Sequence, residues 1–330
     1  MGKVTLNARA MRVADELAGS ADELGVTVGS AGKARLIDAG VKQTGSLQAG
    51  VMVARACLAD LAHVCLVPGW IGDRPHIDVV VDVAKPVEAC MASQYAGWQI
   101  NLPGVPPASG KSYFAMGSGP MRAAYGKEEL FDDTGGRESP DSVVGVLETG
   151  KLPLAEVACY IAQRCRVDER HVTLIAARTA SLVGSVQIAA RSVETALHKL
   201  HALEFDLSRV VAGFGAAPLP PVAKDDMAAI GRTNDAVLYG ARVTLMCTGD
   251  DESLQTAGQQ LPAGASRDYG QPFAQIFARY DHDFYKIDPL LFSPALITLQ
   301  NITTGRSFTF GKVDAKVLAE SFGFAAANSL

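Results

Sequence analysis

Two residues in the stretch SVQIAARSVETALHKL (185–200), Arg191 and Glu194, combine residue types and a spacing that could do chemistry. Three apart on a helix, they share a face and can pair. At about 100° per residue, Val193, Leu197 and Leu200 fall within about 40° of Val186 and form an apolar seam. Gln187, Arg191, Glu194 and His198 gather at about 80–140°, in a narrow polar stripe beside that seam. A solvated ion pair would contribute little to stability. The neighbouring residues are small or apolar, however, which points to a helix largely inside the protein. A buried Arg–Glu pair is costly unless it is hydrogen-bonded, and such pairs are often sited for chemistry, proton transfer by the carboxylate above all. Pattern alone leaves both readings open, a wetted edge or the wall of a site.

Three other motifs bear on a site. AMGSGPMR (115–122) places Gly117, Ser118 and Gly119 before Pro120 and a short helix that includes Arg122. Backbone amides at such a start can hold an anion or a ligand carbonyl, although a tight turn explains the pattern equally simply. It matches neither a phosphate-binding loop nor a nucleophile elbow. GFGAAPLPP (213–221) lacks the third glycine of a dinucleotide fingerprint and runs into prolines, so it reads as a loop. GRTNDAVLYG (231–240) sets Arg232, Thr233, Asn234 and Asp235 ahead of an apolar strand, as a grip on a polar ring or anionic tail or as a capped turn. The six cysteines form no C-x-x-C pair and read as buried reduced thiols. Cys57, His63 and Cys65 match no zinc spacing, so no metal is expected.

The elements that must position these residues belong to an α/β (α+β) chain. At 330 residues, with 48% hydrophobic residues, it is long enough for one large or two medium domains. Helices are expected over 6–22, 46–66, 87–98, 152–167, 185–200 and 314–322, with strands between them. Two domains, 1–150 and 151–330, are expected, with a boundary that is approximate and open to discontinuity. SLQAGVMVARACLA from Ser46 lines up without gaps on SLVGSVQIAARSVE from Ser181, so an internal duplication stands beside chance as an explanation. The second copy has Arg191 and Glu194 where the first has Ala56 and Ala59. A net charge of −5, a pI near 5.7 and the lack of a basic run argue against nucleic acid as a partner. No apolar run of about 18 residues occurs and the start lacks a secretory pattern, so no membrane association and a cytoplasmic location are expected.

PVEACMASQYAGW, YFAMGSGPMRA, SLVGSVQIAARSVETALHKL, GFGAAPLPP, GRTNDAVLYG and FYKIDPLLFSPA follow one another in the chain. Together they resemble the methenyltetrahydromethanopterin cyclohydrolases, from about Leu36 to near the C-terminus. The resemblance implies two α/β domains around a large cleft, a homotrimer, and no metal or redox cofactor. It implies hydrolysis of the methenyl cation of tetrahydromethanopterin, or of its dephospho form, to the N5-formyl product. The family's catalytic Arg and Glu fall on Arg191 and Glu194. Chemistry then assigns GSGP (117–120), Gln187, His198 and Arg232–Asp235 to the walls around the pterin, and Arg122 and Arg232 to its anionic tail. The loop NLPGVPPASGK is longer than the family's, which leaves a lysine role for Lys111 open. Another pterin- or folate-dependent one-carbon enzyme, such as a formyl transferase, or a non-catalytic pterin-binding protein, is the alternative.

Overall fold

The computed structural model describes residues 5–103 and 112–324. Two six-stranded mixed sheets carry the chain, with strands numbered here in chain order. The first runs β1 (Thr27–Ala31), β2 (Ala34–Gly40), β8 (Val172–Ala177), β7 (Val143–Glu148), β6 (Tyr113–Ser118), β5 (Trp98–Leu102). β2 and β7 both run parallel to β8, and the outer pairs are antiparallel. The second runs β12 (Ser307–Gly311), β11 (Leu296–Asn301), β10 (Arg242–Cys247), β9 (Val210–Pro218), β4 (Arg74–Val83), β3 (Ala62–Ile71). The α/β class is as expected, and each sheet takes strands from both sides of residue 150.

The polar stripe and its seam do not lie on one helix. Residues 182–202 form two helices, Leu182–Ala189 and Ser192–Ala202, interrupted at Ala190 and Arg191. The seam is nevertheless buried as expected: Val186, Val193, Leu197 and Leu200 have no exposed surface. They pack with Val79, Val81 and Val83 of β4 and with Val243 and Leu245 of β10. That burial anchors the second helix against the second sheet and so sets where its first turn points.

Several expected elements take another form. The segment 46–66 is helical only over Leu47–Cys57, and β3 begins at Ala62. Between them Ala59 and Asp60 both turn left-handed at φ 50. The Arg9 guanidinium donates to both their carbonyls, at 3.2 and 2.5 Å. A run of apolar residues carries no period to announce that change of state. GFGAAPLPP is largely strand β9 instead of loop. A Cβ on Gly213 would fall 2.7 Å from Val193 Cγ1, and one on Gly215 2.4 Å from Ser192 Oγ. The glycines serve close approach of the strand to the helix Ser192–Ala202. GRTNDAVLYG is not a turn before a strand but part of the helix Asp226–Leu238. Asp225 caps that helix by accepting from Ala228 N at 2.8 Å. Thr233 Oγ1 and Asn234 Nδ2 return their donors to the carbonyls of Ala229 (2.9 Å) and Ile230 (2.8 Å), which lets polar residues persist mid-helix.

The two echoing stretches fold alike at their starts. Ser46 accepts from Ala49 N at 3.1 Å and Ser181 from Gly184 N at 2.9 Å, each as an N-cap. Their helices follow the adjacent parallel strands β2 and β8. They meet at Gly50, where a Cβ would fall 2.6 Å from Val186 Cβ. All six cysteines are free, and Cys57, Cys90, Cys165 and Cys247 are buried. Among the described residues no helix is long and apolar enough to cross a membrane.

Candidate active site

The interruption before Ser192 is what aims the pair. Arg191 flanks the helix start with φ −88 and ψ 7, and Glu194 lies in the first turn, where the helix dipole favours an anion. Arg191 Nε donates to Glu194 Oε2 at 2.9 Å, and Nη2 donates to the Gln94 carbonyl at 3.5 Å. Their side chains are 15% and 3% exposed, which decides against a wetted edge. Among the described residues no donor reaches Glu194 Oε1. One carboxylate oxygen is therefore held and the other is open to a water or ligand. Burial works against the Arg191 charge, but the Glu194 and Glu148 carboxylates outweigh it and raise its pKa.

The rest of the stripe converges on the same place. His198 stacks on Tyr95, with ring centroids 4.7 Å apart and 20° between planes. Burial lowers its pKa against the opposing pull of Glu194, so the imidazole is neutral near pH 7. Gln187 Nε2 donates to Glu148 Oε2 at 3.5 Å, while Thr179 Oγ1 donates to Glu148 Oε1 at 2.6 Å.

Glu148 and Gln94 were not singled out in the sequence. Glu148 ends β7, at the carboxyl end of parallel strands where α/β sheets bind ligands. An acid closing the apolar run VVGVLE is the signal that could have found it. Gln94 ends the π-helix Val87–Gln94, a rare element that gathers at functional sites. Its Nε2 donates to the Ala190 carbonyl at 3.1 Å, whereas its Oε1 is buried with no partner among the described residues.

The GSGP turn stands behind this wall. Gly117 pairs with Trp98 across β5 and β6. Gly119 N donates to the Ser93 carbonyl at 2.9 Å, and Ser93 Oγ donates to the Cys57 carbonyl at 2.6 Å. Ser118 Oγ lies 3.4 Å from Cys57 Sγ. These contacts brace the π-helix. Arg122 corrects an expectation: it is fully buried and committed to the protein itself. Its guanidinium donates twice to Glu128 (2.9 and 2.5 Å) and to the carbonyls of Met91 and Ser93 (2.9 and 3.3 Å). It also lies 5.0 Å from the Tyr95 ring centre, so it supports the ring on which His198 stacks and is not presented to an anionic tail.

Arg232 to Asp235 likewise do other work. Arg232 donates to the carbonyls of Ser321 (3.2 Å), Pro221 and Val222 (both 3.3 Å). Asp235 accepts from Phe273 N at 2.8 Å and from Ser321 Oγ at 2.5 Å. No hydrogen bond joins these four to the Arg191–Glu194 pair among the described residues. Lys111 lies outside the described residues. Cys57 faces Ser118, and among the described residues no three His, Cys, Asp or Glu side chains converge as metal ligands.

Burial pushes the Asp235 carboxyl up to about 7, against its hydrogen bonds. Because that value is above the unfolded one, the folded protein holds this proton where the unfolded chain has lost it. The stability it contributes is full below the ordinary carboxylate range and is lost as pH rises towards about 7. Asp235→Asn should flatten that slope, so melting at pH 5 and pH 8 should differ less in the variant than in the parent. An unchanged difference would refute the assignment.

The chain matches the family described as Cyclohydrolase (MCH) over residues 5–322. It is 46% identical over 295 residues to the methenyltetrahydromethanopterin cyclohydrolase of Rhodopirellula baltica, covering 88% of this chain and 86% of that protein. It is 48% identical over 290 residues to the enzyme of that name from Xanthobacter autotrophicus, covering 88% and 84%. Against its namesake in Methanocaldococcus jannaschii the identity is 38% over 327 residues, covering 97% and 99%. With its buried Arg–Glu pair in the matched region, the chain belongs to the methenyltetrahydromethanopterin cyclohydrolase family.

Proposed function

We propose that this chain hydrolyses the methenyl bridge of methenyltetrahydromethanopterin, or its dephospho form, to the N5-formyl compound, with Glu194 as the base. The observation that carries this reading is a buried carboxylate with Oε2 on Arg191 Nε and Oε1 open. The methenyl carbon lies between two nitrogens that share a positive charge, so it is already electrophilic. The need is for a water, placed and deprotonated as it attacks.

Glu194 Oε1 orients that water and takes a proton as the C–O bond forms, which neutralises the cation as a carbinolamine. Glu194 returns the proton to the leaving nitrogen as the C–N bond breaks. The adduct hydroxyl gives up its proton as the formyl C=O forms, and one proton is released per turnover. Arg191 holds the carboxylate and faces the oxygen on which negative charge gathers. The substrate's own charge supplies the electrophile, so the scheme calls for no cofactor. The trimer and the cytoplasmic location are proposed on the family resemblance.

The test is ultraviolet absorbance of the methenyl carrier mixed with wild type and with Glu194→Gln. Loss of the methenyl band with wild type alone, with one proton released, supports the reading. A band that persists with wild type overturns it.

A further inference from the structure

Arg191 is flanked by two carboxylates, and the reaction scheme uses only one. Glu148 closes β7 beside the equally placed end of β8, where Glu148 pairs in register with Ala177. Its Oε1 is fixed by the Thr179 hydroxyl at 2.6 Å. Among the described residues its Oε2 has only the long 3.5 Å contact from Gln187. Among the described residues it forms no ion pair, although its charge acts on Arg191. An acid so placed, half-buried and without a cation of its own, is costly to keep unless a positive charge arrives.

The charges around it give the sign of that partner. Arg191 contributes +1, and Glu194 and Glu148 contribute −1 each. His198 is neutral near pH 7, and burial keeps the Cys57 thiol protonated, pushing it up to about 11. Arg178 is matched by Asp226, whose carboxylate it holds at 3.1 and 3.2 Å. Among the described residues the site therefore carries one uncompensated negative charge, and the methenyl carrier brings one positive charge that its formyl product lacks.

We propose that Glu148 is the counter-charge for the substrate's cation, a specificity-determining residue that makes the site bind the methenyl form in preference to the neutral formyl form. This rests on the reaction proposed above. Unlike Glu194, Glu148 transfers no proton. It favours attack by holding the cationic carbon beside the water, and it loses its hold once the adduct is neutral, which eases release of product.

Glu194→Gln provides an inert background in which both ligands can be titrated without interconversion. Binding of the methenyl and formyl carriers is measured, by absorbance difference or calorimetry, in Glu194→Gln alone and combined with Glu148→Gln or Glu148→Asp. Gln keeps the shape and can still accept from Thr179 through its one amide oxygen, but it removes the charge and the second acceptor that takes the Gln187 amide. Methenyl affinity should fall about ten- to hundredfold in the Gln variant, as expected for a charge pair a few ångströms apart near a protein surface. Formyl affinity should stay within about threefold, and Asp should restore most of the preference. Raised salt should weaken methenyl binding selectively in the parent protein, a reading independent of whether the Gln variant folds. Equal losses for both ligands, or an unchanged ratio, would overturn the proposal. Turnover surviving in Glu194→Gln itself would instead sink the reaction scheme, so the two failures are distinguishable.

Discussion

Glu194→Gln is expected to lose about 10²- to 10⁴-fold in kcat, the range that a positioned general base contributes, while KM changes little. The substitution preserves volume in a site where the side chain is 3% exposed, so no cavity opens. The amide oxygen can still accept from Arg191 Nε, which now holds Glu194 Oε2 at 2.9 Å. What disappears is a group able to take a proton from water and return it to nitrogen. Substrate affinity is expected to persist because Glu148, the counter-charge proposed above, is untouched. Single-turnover absorbance with excess enzyme reads the chemical step directly. Near-normal decay of the methenyl band would remove Glu194 from the mechanism.

Arg191→Gln should be damaging in a different way, because it harms both activity and folding. Removing one partner of a buried pair leaves an uncompensated charge and typically costs about 3–5 kcal/mol. Here the orphaned carboxylate would sit near Glu148, with no other cation in the contacts described above. Turnover should fall about 10²-fold or more, as when a donor to developing oxyanion charge is lost. The double variant Arg191→Gln/Glu194→Gln separates the two effects. It should melt above Arg191→Gln alone, because it removes the stranded charge, while staying inactive. If the double variant is the less stable of the two, the pair is not the coupled buried unit described here.

Legibility in the sequence followed the range of the interactions concerned. Helical periodicity alone identified the seam of Val186, Val193, Leu197 and Leu200 and the adjoining stripe, because period and burial are local properties. It did not reveal the interruption at Arg191, since Ala190 and Arg191 are good helix formers and only packing parts them from the first helix. Strand β9 was hidden for a related reason. Its glycines, turn residues by composition, are small because Val193 and Ser192 press against them from another element. Arg232 to Asp235 looked like a ligand grip because four polar side chains in a row have no stated partners until the helix around Asp226–Leu238 provides them.

Sequence by itself determined the α/β class, the i,i+3 spacing of Arg191 and Glu194 beside an apolar seam and, through long matching strings, the kinship. Those rest on residue identity and short spacing, which survive without coordinates. Only the tertiary structure decided which other groups share the site. It turned Arg122 inward to Glu128 and the Tyr95 ring, and set Arg232 on the carbonyls of Pro221, Val222 and Ser321. It also brought Glu148 and Gln94 to Arg191 from positions far away in the chain. Charge balance at a site sums over everything within a few ångströms, and a linear sequence carries no measure of that distance.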